Sequence, residues 1–137
     1  MDFELIRVLV DFGLVVLIWM VQLIVYPSFK FYSKKELEKW HQKYNFRIAV
    51  IVIPLMLLQL LVYGLQLIND QNLFYIIGMS IVVLVWCITL FKFVPLHNSI
   101  MSKSYSESVL RTLIKLNWSR TLLWSILFIY SILEYYA

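Results

Sequence analysis

Four apolar segments, at residues 5–26, 48–68, 73–91 and 116–136, alternate along the chain with stretches that are polar or charged. Each is long enough, at 1.5 Å per residue, for a helix to cross the ~30 Å hydrocarbon layer of a bilayer. A backbone in lipid must satisfy its own amides, so the pattern predicts an all-α fold, an integral membrane antiparallel four-helix bundle. A single transmembrane domain covering residues 1–137 is expected. The connection Asn69-Asp70-Gln71-Asn72 reads as a tight polar turn. The other two connections are longer, and each opens at a proline, Tyr26-Pro27 and Val94-Pro95, predicted to end or kink the helix there. Each then places a serine three residues before a glutamate, Ser33 with Glu36 and Ser104 with Glu107, the spacing of a capping box. Helices two and four are therefore expected to begin as amphipathic cytoplasmic extensions that run into the membrane unbroken. Pro54 lies within the second helix, where it frees the carbonyl of Val50 and should kink the rod. Both a duplicated two-helix unit and two unrelated hairpins fit this layout.

Charge orients the bundle. Of the twelve basic residues, only Arg7 lies outside the two proline-headed connections and their edges. Lys30, Lys34, Lys35, Lys39, Lys43 and Arg47 belong to one, and Lys92, Lys103, Arg111, Lys115 and Arg120 to the other. The opposite ends carry Asp2, Glu4, Arg7, Asp70 and Glu134. The positive-inside bias puts both basic connections in the cytoplasm and both termini outside, in the plasma (inner) membrane. Composition agrees: 62% hydrophobic and 15% charged residues exclude a soluble domain, in which about 25% would be charged. The first span is expected to stay in the mature protein, since Asp2, Glu4 and Asp11 stand where a signal peptide is basic. The net charge of +4 is explained by topology and anionic lipid, so membrane lipid is an expected partner and nucleic acid is not. Cys87, the single cysteine, reads as a small buried hydrophobe, with no disulfide or thiolate cluster within one chain.

Polar residues within the spans should face the bundle interior. Asp11, Gln22 and Tyr26 fall within about 60° of one another on the first helix at 100° per residue. Asp11 has a ready partner in Arg7 one turn earlier, an i,i+4 pair near the outer boundary; the alternative is a proton or ion site. On the second helix His41, Gln59 and Gln66 align, which fits interhelical hydrogen bonding. Asn117, Arg120, Thr121 and Trp124 make one face of the fourth. Arg120 either snorkels to lipid phosphates or points into a cytoplasm-facing cavity to hold an anionic or carbonyl group. His41 and His97, the two histidines, lie at the cytoplasmic boundary. They are candidates for a general base or for ligands of a metal or haem iron, or they are amphipathic residues at headgroup level. Tyr135 and Tyr136 read as an interfacial belt.

The stretch Val94-Pro95-Leu96-His97-Asn98, followed by Asn117-Trp118-Ser119-Arg120-Thr121, resembles a paired motif of the anthrone-oxygenase-like family of small four-helix membrane proteins. The likeness covers chiefly the second half of the chain. His97 stands where the family pattern has asparagine, and Asn98 is displaced by one. The resemblance implies a four-helix membrane fold and, as in the fungal polyketide members, oxidation of an anthrone to a quinone by molecular oxygen without a bound cofactor. It requires no cofactor, and haem or a metal at the histidines stays open. The expected function is a small membrane oxidoreductase or oxygenase acting on a lipophilic aromatic or quinone-like molecule that enters from the bilayer. Arg120 and Asn117 would stabilise a phenolate, His41 or His97 would take the proton, and Gln22, Tyr26, Asn98 and Trp124 would contact the substrate. Two other readings stand beside it. One is a non-catalytic membrane subunit that forms homo-oligomers or binds a partner through its cytoplasmic extensions. The other is a small transporter with Gln59 and Gln66 as its midplane groups.

Overall fold

The computed structural model describes residues 1–102 and 105–137. Four helical rods succeed one another: α1 (Phe3–Phe31), α2 (Lys34–Asn69), α3 (Leu73–Met101) and α4 (Glu107–Tyr136). α1 packs against α2 and α4, and α3 against the same two, so the rods stand in a ring with sequence neighbours side by side. Local chemistry sets most of the ends. Asp2 accepts from the amide of Leu5 at 3.0 Å and Asn72 from that of Tyr75 at 3.1 Å. Ser33 and Glu36 form the expected capping box. For α4 the described start lies later than the second box expects. α4 starts at Glu107 itself, so this glutamate cannot be the third residue of the helix. Its N-cap is Ser106, whose hydroxyl pairs with that of Ser108; Ser104 lies outside the described residues.

Of the two outcomes expected at Pro27 and Pro95, an end or a kink, neither rod shows an end. Both rods pass through the prolines, and the reason is a wide turn placed just before each. α1 is α-helical over Phe3–Met20, opens into a π turn over Val21–Val25 and tightens through Tyr26–Ser28 and Phe29–Phe31. α3 opens likewise over Thr89–Phe93 and resumes over Val94–Met101. The amide of Tyr26 bonds the carbonyl of Val21, and that of Val94 bonds Thr89, five residues back in each case. Pro27 and Pro95 come directly after, so the missing donor falls where the hydrogen-bond ladder has already shifted. The inserted residue also turns the remainder of each rod by about 100° relative to a regular helix. Pro54, by contrast, lies inside α2 with no such turn, and the helix remains continuous.

The distribution of side chains is inverted relative to a water-soluble bundle. The outer surface carries Leu9, Leu23, Ile24, Val50, Ile51, Ile68, Leu122, Ile126 and Ile129, all exposed. The interior holds Arg7, Asp11, Gln22, His41, Gln59, Gln66, Asn117, Arg120, Thr121 and Ser131 among its apolar packing. Three rods, α1 to α3, are long and apolar enough to cross a membrane, each with a mean hydropathy of 2.5 over its most apolar window. α4 has the length, at 30 residues, but its polar inner face dilutes its apolar character. Cys87, expected to be buried, is exposed on α3, because the inward positions there go to Gly78, Val82 and Val85.

The half of the bundle near the termini is closed by a satisfied polar cluster. Arg7 and Asp11 are each 1% exposed, and neither makes the boundary pair expected from their spacing. Asp11 accepts from Gln59 Nε2 at 2.6 Å and Tyr63 Oη at 2.8 Å. Arg7 donates to Ser131 Oγ at 2.9 Å, to the Ser131 carbonyl at 3.2 Å and to Gln66 at 3.4 Å, with its guanidinium 4.7 Å from the centre of the Phe74 ring. Trp124 Nε1 donates to Gln59 Oε1 at 3.2 Å. Burying such charges is tolerated only where each finds partners, and the two opposite charges share one cluster. Tyr63 reaches Asp11 across Gly78. A Cβ on Gly78 would lie 2.5 Å from Tyr63 Cε1, whereas one on Gly64 would meet nothing within 4 Å. Gly78→Ala should therefore destabilise the bundle by about 1–3 kcal/mol, and Gly64→Ala should stabilise it by about 0.5–1 kcal/mol. Unfolding of both variants in detergent micelles checks the pair.

Candidate functional site

At the other end, the residues expected to carry chemistry come together around Arg120. α4 presents Asn117, Arg120, Thr121 and Trp124 on one buried face, as their spacing requires. Arg120 does not snorkel outward; it is 7% exposed. Its Nε and Nη2 donate to Asn117 Oδ1 at 3.1 and 2.7 Å, its Nη2 also to Tyr26 Oη at 3.1 Å, and its Nη1 to Thr89 Oγ1 at 3.4 Å. The guanidinium carbon sits 3.5 Å from the centre of the Phe93 ring, a desolvated cation–π contact. Every one of these partners is neutral. Asn117 is held in turn, its Nδ2 donating to Gln22 Oε1 at 2.9 Å. Gln22 accepts from Thr121 Oγ1 at 3.3 Å and donates to the Ile114 carbonyl at 3.2 Å. Gln22, Asn117 and Thr121 thus form a fixed seat for the guanidinium.

The two π turns supply the other half. One precedes Tyr26 and the other contains Thr89 and Phe93, so both bring residues to Arg120 that a regular helix would rotate elsewhere. Such turns are frequent at functional sites. Tyr26 Oη lies 3.0 Å from His97 Nε2, and His97 Nδ1 lies 2.7 Å from His41 Nε2. The imidazoles lie edge to edge across this contact, 22° from coplanar, with centroids 4.9 Å apart. His41 is fully buried, with Phe29 and Tyr44 against it, and His97 is half-buried. The His41 Nδ1 is buried and has no hydrogen-bond partner.

A cavity of about 220 Å³ opens beside this group. Its walls are apolar along Leu17, Ile18, Val21, Ile48 and Val52, and its polar groups are Tyr26, Tyr44, Asn45, Thr89, His97, Asn98 and Arg120. The lining residues that are exposed, Ile53, Val94 and Asn98, belong to α2 and α3, so the mouth lies between those helices. Of the residues singled out in the sequence, Tyr26, His97, Asn98, Arg120 and Trp124 line the cavity. Gln22, His41 and Asn117 stand behind it as supports. Tyr44, Asn45, Thr89 and Phe93 are site residues that the sequence did not single out. Tyr44 comes three residues after His41 on α2 and was within reach of a helical-wheel argument; Thr89 and Phe93 were hidden because the π turn breaks the 3.6-residue period.

The chemistry open to this arrangement is that of a cationic oxygen-binding group next to a proton-carrying chain. As a metal site it is poorly formed. The two histidines face each other across a hydrogen bond, and among the described residues no group of three or more His, Cys, Asp or Glu comes together. Compared with known proteins, the chain matches no family, no curated sequence and no solved structure. The site is therefore interpreted from its own geometry. Asn117→Leu, which strips Arg120 of two hydrogen bonds, should cost about 1.5–3 kcal/mol of stability, measurable as a lowered unfolding midpoint in micelles.

Proposed function

We propose that this chain is an integral membrane protein that admits a lipophilic ring molecule bearing an anionic or carbonyl oxygen into the cavity between α2 and α3. It acts there as a small oxidoreductase or oxygenase on an aromatic or quinone-like substrate. The observation that carries the binding reading is the buried Arg120 guanidinium, which meets only neutral partners at the head of a cavity. A charge held out of water with no opposite charge is unfavourable by several kcal/mol, and a ligand oxygen entering the cavity would supply the missing partner. The apolar walls and lateral mouth suit a molecule dissolved in lipid. The reaction class rests on the likeness of residues 94–98 and 117–121 to the anthrone-oxygenase-like motif. In this reading Arg120 and Tyr26 meet the substrate oxygen, Asn117 and Gln22 position Arg120, and the histidines handle the proton.

The apolar outer surface and the three long apolar rods support insertion into a membrane, and the placement of the basic residues supports a cytoplasmic site with both termini outside. In a Cys87→Ser background, Asn72→Cys should react with an impermeant maleimide added to intact cells, and Lys35→Cys only after permeabilisation; the reverse pattern would invert the topology. Arg120→Met removes the charge and keeps bulk. It should weaken binding of a lipophilic hydroxyanthrone or quinone at least about tenfold, because hydrogen bonds to a charged group are worth about 1.5–3 kcal/mol, with the unfolding midpoint in micelles measured alongside to separate lost binding from lost fold. Absorption spectra of the purified protein titrated with such ligands give the readout. Unchanged binding in Arg120→Met refutes the reading.

A further inference from the structure

The contacts from Arg120 through Tyr26 and His97 to His41 form one continuous chain. Arginine only donates, so its Nη2 contact at 3.1 Å occupies an acceptor position on Tyr26 Oη. The phenol keeps its own proton, which a relay along this chain gives to His97 Nε2, 3.0 Å away. A neutral imidazole carries one proton; accepting at Nε2, His97 holds its proton on Nδ1 and donates it to His41 Nε2 at 2.7 Å. His41 is left with its proton on Nδ1, the atom that is buried without a partner. Buried polar atoms are rarely left unpaired, and one that is calls for an explanation in function. One end of this chain lines the cavity, through Tyr26 and His97, and the other end is sealed away from it at His41.

We infer that Tyr26, His97 and His41 form a proton relay that ionises a weakly acidic hydroxyl, a phenol or enol, as the ligand binds beside Arg120. The inference rests on the ligand-binding reading above and narrows its substrate class. The ligand hydroxyl gives its proton to Tyr26 Oη while the Tyr26 proton passes to His97 Nε2 and the His97 Nδ1 proton passes to His41 Nε2. The products are a ligand oxyanion paired with Arg120, a neutral Tyr26, a neutral His97 with its proton on the other nitrogen, and a His41 imidazolium. No electrons change hands. A carboxylate ligand arrives already ionised and needs Arg120 alone, so the relay has work only for a hydroxyl that is neutral in lipid. Among the described residues, the titratable or charged groups facing the relay are Tyr26 from α1, Tyr44 from α2 beside His41, and Arg120 from α4 beside His97 of α3. None of these is a carboxylate that would compete for the proton.

The test uses the purified full-length protein in micelles with two probes, an alkylated 4-nitrophenol whose absorbance reports ionisation, and an alkylbenzoate of matching size. The wild type should bind both and lower the apparent pKa of the bound nitrophenol by about one unit or more. His41→Gln keeps an acceptor for His97 but cannot hold the proton; it should shrink the nitrophenol pKa shift to the part that the Arg120 charge alone supplies, with alkylbenzoate affinity, which needs no proton transfer, measured in parallel as the control. A nitrophenol pKa equally lowered in His41→Gln overturns the relay and leaves the binding reading standing. Failure of the wild type to bind either probe overturns the binding reading. The relay is then decided by ¹⁵N NMR of the two imidazoles in the unliganded protein: protons on both Nδ1 atoms support it, and a proton on His41 Nε2 overturns it.

Discussion

Arg120 holds its guanidinium inside the bundle on an amide oxygen, two hydroxyls and an aromatic face, and much of the surrounding structure depends on that placement. An arginine in such a position needs its donors occupied and its orientation fixed, or the desolvated charge would draw water or pull outward. Gln22, Asn117 and Thr121 meet that need by locking one another before they lock the arginine. The stacking of Phe93 beneath it then leaves the cavity side as the direction in which a new oxygen can approach.

The two polar clusters use the same residue types to opposite effect. Near the termini, Arg7 and Asp11 bring opposite charges into one closed set of hydrogen bonds with Gln59, Tyr63, Gln66 and Ser131. That cluster has a structural role, since each group meets a protein partner and the bundle is knitted across its helices. Gln59 and Gln66, the midplane candidates for transport, are engaged there. At the other end the buried Arg120 charge has no opposite number among its partners, and an imidazole nitrogen of His41, two side chains further on, is left unpaired. Trp124 joins the clusters, bonding Gln59 with its indole N–H while its ring lines the cavity. Stability is concentrated in one half and unsatisfied polarity in the other, the usual division between scaffold and site.

The π turns make this division buildable from helices. A proline in a regular rod would leave a carbonyl unpaired and bend the axis. Preceded by a five-residue turn, Pro27 and Pro95 sit where the ladder is already offset, and the extra residue rotates Tyr26 and His97 into line with Arg120. The same device occurs in both halves of the chain, at the same place relative to the proline, although the sequences around it differ.

The features that the sequence determined alone are those that depend on local pattern. Apolar length set four helices, polar breaks set their ends, the Ser33 box capped α2, and the i, i+3, i+4, i+7 spacing set the Asn117 face. These features rest on interactions between residues within about a turn of one another. Tertiary structure decided the rest. Arg7 and Asp11 turned to partners on other helices because the interior had room and acceptors for each, against the local pairing their spacing offered. The histidines meet because α2 and α3 bring together residues 56 apart in sequence. Cys87 faced outward because smaller or branched neighbours took the inward positions. Thr89 and Phe93 entered the site because a hydrogen-bond shift of one residue redirected the helix, and no periodicity in the chain announces such a shift. The site is built of contacts distant in sequence, and their energies exist only once the four rods have packed.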